Sequence, residues 1–142
     1  MAVLVVNLQR KLKLDTRLFK GFVESVVPRI DEAGGRGVSV AFVSDERMTE
    51  LNKFFRGKEA TTDVLSFPHA ADEFDPNNHE LGDIVISAEQ AERQAEENGL
   101  RLETEIRQLI LHGLLHLCGY DHETDDGEMD RRELELRERL GI

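Results

Sequence analysis

Little in this chain can cross-link it, anchor it in a bilayer or let it cling to a polyanion. It has one cysteine in 142 residues, Cys118. A lone thiol cannot close an internal disulfide, so a disulfide framework and dithiol redox chemistry are both excluded, and a reducing compartment fits. No apolar run approaches the roughly 18–20 residues that cross a membrane. The opening stretch MAVLVVNLQRKL places its charges after its apolar residues, the reverse of a secretory signal, so cytoplasmic residence without membrane contact is expected. Repeats, low-complexity tracts and Ser/Pro-rich linkers are also lacking, which leaves one core for all elements and a single domain over residues 1–142. A hydrophobic content of 39% is enough to close that core.

Positive charge is scarce. Eighteen Lys and Arg face twenty-nine Asp and Glu, for a formal net charge of −11. This argues against non-specific nucleic-acid binding, because attraction to phosphate is driven by cations that displace counterions. The deficit is uneven. Through Lys58 there are eleven basic and seven acidic residues, and from Glu59 onward seven basic and twenty-two acidic. A basic lip on an acidic body is one reading. A solubilising surface with ordinary ion pairs is the plainer one.

The periodicities give an ordered series of elements. VLVVNL at Val3 to Leu8 reads as a buried strand. Leu18, Phe19, Phe22, Val23, Val26, Val27 and Ile30 recur at helical spacing behind the capping candidates Asp15 and Thr16, with Pro28 ending or kinking the helix near Val27. A second strand follows at Val38 to Val43. Ser44 then caps a helix with Met48, Leu51 and Phe55 on its apolar face, stopped by Gly57. DVLSF at Asp63 to Phe67 and DIVIS at Asp83 to Ser87 read as an antiparallel strand pair around the long polar segment PHAADEFDPNNHELG. Ser87 with Gln90 resembles a capping box for a helix ending at Asn98. Helices over Leu102 to Leu117 and Glu128 to Leu140 complete the chain, the latter with Met129, Leu136 and Leu140 along one stripe. The order β α β α β β α α α implies an α+β (α/β) fold around a small mixed sheet.

Three of five histidines fall within HGLLHLCGYDH, residues 112 to 122. His112 and His116 stack one turn apart on one helical face, about 40° from each other. Gly119 permits the left-handed turn that ends the helix and lets His122 swing back toward the same point. Three neutral imidazoles suit Zn²⁺ or a similar borderline divalent ion, and a coordination position left to solvent marks a catalytic site rather than a closed structural one. Cys118, about 200° around the helix from His116, points into the core instead. An i, i+4 pair alone would read as satisfied core histidines; the third histidine behind a glycine stop favours a metal site. His69 and His79 read as isolated solvated residues.

HGLLHLCGYDH, TTDVLSFP at Thr61 to Pro68 behind LNKFFRGK, and LGDIVIS at Leu81 to Ser87 together resemble the YbeY family of metal-dependent endoribonucleases, which act in ribosomal RNA maturation and quality control. The resemblance covers almost the whole chain. It implies a four-stranded mixed sheet flanked by about five helices, with a metzincin-like three-histidine metal site. It also implies zinc on His112, His116 and His122, and an arginine, Arg56, needed for activity on RNA. The expected catalytic residues are thus Arg56, His112 and His116. Ribosomal RNA is the implied substrate, and ribosomal proteins or a ribosome-associated GTPase are implied partners; no DNA is expected.

Two features qualify this reading. The metzincin pattern H-E-x-x-H-x-x-G-x-x-H has a glutamate after the first histidine, where this chain has Gly113. Glycine cannot carry a proton between a nucleophile and a leaving amine, so peptide hydrolysis by the usual route is not expected. Secondly, Arg56 by spacing alone is an ordinary basic residue at a helix C-terminus. With Lys53 and Lys58 it forms a cluster interleaved with Phe54 and Phe55, suited to phosphate and to an unpaired base. Core packing remains the plainer reading for both rings, with Phe55 on the core stripe and Phe54 the better stacking candidate. Asp121 either orients a ligand histidine from behind or caps its own turn. A hydrolase of another substrate and a non-catalytic ribosome-associated zinc module are the alternatives. Steady peptide turnover would favour the former, and a protein ligand closing the coordination sphere the latter.

Overall fold

The computed structural model describes residues 1–69 and 79–142. Most of the polar segment between the third and fourth strands lies outside the described residues. Among those described, the order is β1 (Val3–Asn7), α1 (Thr16–Val26), β2 (Gly37–Val43), α2 (Asp45–Arg56), β3 (Val64–Pro68), β4 (Glu80–Ser87), α3 (Ala88–Asn98), α4 (Leu102–Leu117) and α5 (Glu128–Leu140). Short 3-10 turns follow α1 at Val27–Arg29 and Asp31–Ala33, where Pro28 stops the α-helical ladder.

The strands form one sheet in the order β1-β2-β4-β3. β1 and β4 run parallel to β2, and β3 pairs antiparallel with β4 through Leu65↔Val85 and Phe67↔Asp83. This is the expected mixed sheet with an antiparallel edge. β4 begins at Glu80, earlier than the expected Asp83, because its pairing with β2 continues down to Gly37.

Strand alternation sends side chains to two unequal layers. Val38, Val40, Phe42, Ile84 and Ile86 face α1 and α4 in the main core with Phe19, Val23, Ile106, Ile110 and Leu114. Val43, Leu65 and Val85 face the other way, where Met48 of α2 closes a smaller cluster. α2 covers only one end of that face. Burial accordingly decays along its apolar stripe, from Met48 at 0% exposure to Phe55 at 56%. Phe55 is therefore not the expected core residue: its ring leans on Phe67 of β3, but nothing encloses it and more than half of it stays exposed.

Caps fall where sequence chemistry places them. Asp15 accepts the amide N–H groups of Arg17 and Leu18, Ser44 that of Arg47, and Ser87 that of Gln90. The Gln90 side chain turns outward to Arg93, so only half of the capping box forms. Ser87 also donates to Asp45 at 2.7 Å, and Thr61 donates to the same carboxylate oxygen at 3.0 Å. Burial alone would raise the Asp45 carboxyl, but hydrogen bonds from Ser87, Arg93 and Thr61 outweigh it and hold the group below its ordinary value. This ionised hub ties the segment leading into β3 to the start of α3.

Candidate metal centre

The three histidines converge. His112 and His116 project from the last turns of α4 with Nε2 atoms 3.2 Å apart. His122 comes from the loop beyond, its ring centroid 5.4 Å from that of His112 and 5.3 Å from that of His116. One nitrogen from each ring lies within 4.8 Å of the others. A tetrahedral ion with nitrogen bonds of about 2.0–2.1 Å needs donors about 3.3 Å apart, so the α4 pair already has the required bite and His122 needs only a small inward adjustment. The residues fit a small divalent cation.

Local structure explains the convergence. At Gly119 the backbone takes φ 99°, a conformation that a side chain disfavours. The Gly119 N–H bonds to the carbonyl of His116 and the Tyr120 N–H to that of Leu115, which closes α4 and reverses the chain. Tyr120 then donates its hydroxyl to Glu32 at 2.7 Å, and Arg132 holds the same carboxylate through two nitrogens. The Arg132 hydrogen bonds are the main cause that holds Glu32 below its usual carboxyl value. The loop carrying His122 is thereby pinned to the turn after α1 and to α5.

Burial pushes the His116 imidazole below its usual pKa, and the adjacent His112 and His122 push the same way. A neutral ring is the form that ligates. Behind His112, Nδ1 lies 3.4 Å from Oε2 of Glu133, a glutamate of α5 with only 7% exposure. Burial would raise that carboxyl, yet the hydrogen bond and charge of His112, together with Arg137, lower it. A carboxylate on the far nitrogen fixes the ring and leaves Nε2 as the donor toward the site. Sequence reasoning missed Glu133. Asp121 uses Oδ1 to accept the Glu123 N–H at 3.0 Å, capping its own turn, while its charge favours protonation of nearby His116.

The histidines floor an open pocket of about 630 Å³ whose walls include Thr62 to Ser66, Asp121, Glu123 and Arg56. Arg56 reaches this pocket from the end of α2, and its guanidinium lies 3.8 Å from the Glu123 carboxylate across the mouth. Lys53 and Lys58 are exposed and lie outside the pocket lining, Lys53 paired with Glu59 at 2.7 Å. His69 differs from expectation: it pairs with Asp83 at 2.9 Å, brought there by the antiparallel register of β3 and β4. Cys118 packs against the main core, and burial pushes its thiol up to about 11, which leaves it a poor ligand.

Gly113 faces the sheet. A Cβ built on it would lie 3.0–3.2 Å from three carbons of the Ile84 side chain. The glutamate of a metzincin protease therefore has no counterpart at this position, and any side chain there would have to displace Ile84.

The model of the family described as Endoribonuclease YbeY matches residues 5–141. The chain belongs to the YbeY family. A YbeY-family protein of Desulforamulus reducens, named Endoribonuclease YbeY, is 43% identical in an alignment covering 100% of this chain and 99% of the relative. One of the same name from Nautilia profundicola is 49% identical over 75% of this chain and 74% of its own length. Among solved structures, the solution structure of a Thermotoga maritima protein superposes with a TM-score of 0.65 at 32% identity, covering 99% of this chain and 90% of that one. The mixed sheet and the α4 helix that carries two of the histidines are thus set within a YbeY-like fold.

Proposed function

We propose that this chain is a metal-dependent endoribonuclease that cuts single-stranded regions of ribosomal RNA during maturation and quality control, working as one domain over residues 1–142 in the cytoplasm. The observation that carries the reading is the meeting of three imidazoles and one guanidinium in one open pocket, with Gly113 in place of the proteolytic glutamate. Zinc is the ion that suits His112, His116 and His122, a set of neutral nitrogen donors with no thiolate. When bound, it supplies Lewis acidity at a phosphoryl oxygen.

The protein's own groups have separable tasks. Glu133 holds the His112 ring so that its donor nitrogen faces the pocket. Arg56, paired only loosely with the exposed Glu123, exchanges that carboxylate for the substrate phosphate and binds two of its oxygens. It then stabilises the additional negative charge of the transition state. Lys53 and Lys58 hold flanking phosphates outside the pocket, and Asp121 supports the turn between Gly119 and His122. The acidic remainder of the surface keeps affinity for naked RNA low and salt-sensitive. Ribosomal proteins or a ribosome-associated GTPase accordingly deliver the enzyme to its target.

The test is cleavage of a single-stranded ribosomal RNA fragment alongside a peptide mixture. RNA cleavage without peptide turnover is expected; steady peptide turnover with intact RNA would overturn the reading. Arg56→Ala should lower kcat by about 100–1,000-fold with metal content unchanged. Glu133→Gln should retain the fold and weaken metal binding by about 10–100-fold in competition with a chelator. Unaltered metal affinity would remove the orienting role of Glu133.

A further inference from the structure

Two adjacent phenylalanines sit uncovered at the end of α2. Phe54 is 81% exposed and Phe55 56%, and they are the only aromatic residues among the exposed large hydrophobics of the described chain. Their rings meet edge to face at 4.8 Å, and Phe55 meets Phe67 of β3 at 4.9 Å. Phe55 is thus braced on a ring of the strand that walls the metal pocket. Phe54 is braced on Phe55 and offers its own ring to solvent.

Charge selects the occupant. Lys53, Arg56 and Lys58 lie on the same turn and its exit, a local basic cluster on a chain of net charge −11. Lys53 pairs with Glu59, but both are exposed, and phosphate can replace such a partner. An aromatic face flanked by cations fits an unpaired nucleobase with its phosphates alongside. An apolar protein segment would have no use for the cations.

We propose that Phe54, braced by Phe55 and Phe67, is a stacking platform for an unpaired base of the RNA whose phosphate Arg56 binds. This rests on the RNA reading above and adds the subsite that makes the substrate single-stranded: a base inside a duplex has both faces covered by its neighbours. Phe54 and Arg56 are two positions apart, about 200° around the helix. The strand therefore crosses the end of α2, and the stacked base belongs to a nucleotide flanking the one at the metal.

The chain contains no tryptophan, so Phe54→Trp installs a single indole on the platform, whose emission is separable from that of Tyr120 by excitation at the red edge. In the metal-loaded protein its emission should be quenched saturably by a short 2′-O-methyl oligoadenylate, but not by an abasic strand of equal length or by inorganic phosphate. Phe54→Ala should weaken oligoadenylate binding about tenfold, with metal content, melting temperature and salt slope unchanged. If RNA is cut normally while the fluorophore is silent and Phe54→Ala binds like wild type, the platform alone is overturned. Should Phe54→Ala keep its RNA affinity but lose co-elution with ribosomal subunits, the patch is a protein dock and the proposal also fails. Absence of RNA binding by every form overturns both this proposal and the reading beneath it.

Discussion

His116→Ala is expected to abolish RNA cleavage and stoichiometric metal binding while leaving the circular dichroism spectrum unchanged. His116 is one of only three imidazoles in the group, and its Nε2 lies 3.2 Å from that of His112. With two nitrogens remaining on an open pocket wall, the ion would be held mostly by solvent, and the described residues offer no further ligand in that group. The helix itself should survive, because α4 is fixed by Ile106, Ile110, Leu111, Leu114 and Leu115 on its buried side. Alanine is also the better helix former. His69→Ala is the matched control: it removes an imidazole paired with Asp83, outside the triad, and should leave the bound metal unchanged. Metal and activity retained in His116→Ala would refute the assignment.

Gly82→Ala is expected to fail through the fold instead. Gly82 pairs with Val38 on one side and Pro68 on the other, with φ 155°. A Cβ there would lie 2.5 Å from the Phe67 carbonyl oxygen, 2.6 Å from a Leu117 methyl carbon and 3.0 Å from the Pro68 Cα. Two of these are backbone atoms that can yield only if β3 moves off the sheet. β3 is an edge strand and also lines the metal pocket, so the variant should lose stability and site geometry together. The expected penalty is on the order of 4 kcal/mol, a large part of the stability of a domain this size. That corresponds to a fall in melting temperature of roughly 10–20 °C by scanning calorimetry. An unchanged melting temperature would mean that the strand pairing can relax around the added methyl.

How far this was legible in the sequence depends on whether the information is local. Element order, the caps at Asp15, Ser44 and Ser87 and the Gly119 reversal all follow from short-range chemistry, and the mixed sheet follows from that order as a fold class, not from any local pairing signal. The spacing of His112, His116 and His122 is of the same kind. Glu133 is not, because it reaches His112 only after α5 packs on α4. One signal was present: Met129, Glu133, Leu136 and Leu140 keep helical spacing, so a glutamate falls on the buried stripe of a charged helix. The His69–Asp83 pair depends on the register of two strands separated by a long segment, which no local pattern specifies. Phe55 shows the opposite error. Its spacing from Met48 and Leu51 is that of a core residue, but burial requires an enclosing layer, and contact with Phe67 of β3 still leaves the ring 56% exposed. Gly113 was legible as a missing carboxylate, whereas its contact with Ile84 needed the packing of α4 on β4.

Metal analysis combined with X-ray absorption on protein purified without chelators tests the three-imidazole site most directly. One divalent transition ion per chain is expected, coordinated by three imidazole nitrogens and one solvent oxygen. No bound ion and no uptake on titration would contradict it, as would a sulfur or a further protein ligand completing the coordination sphere.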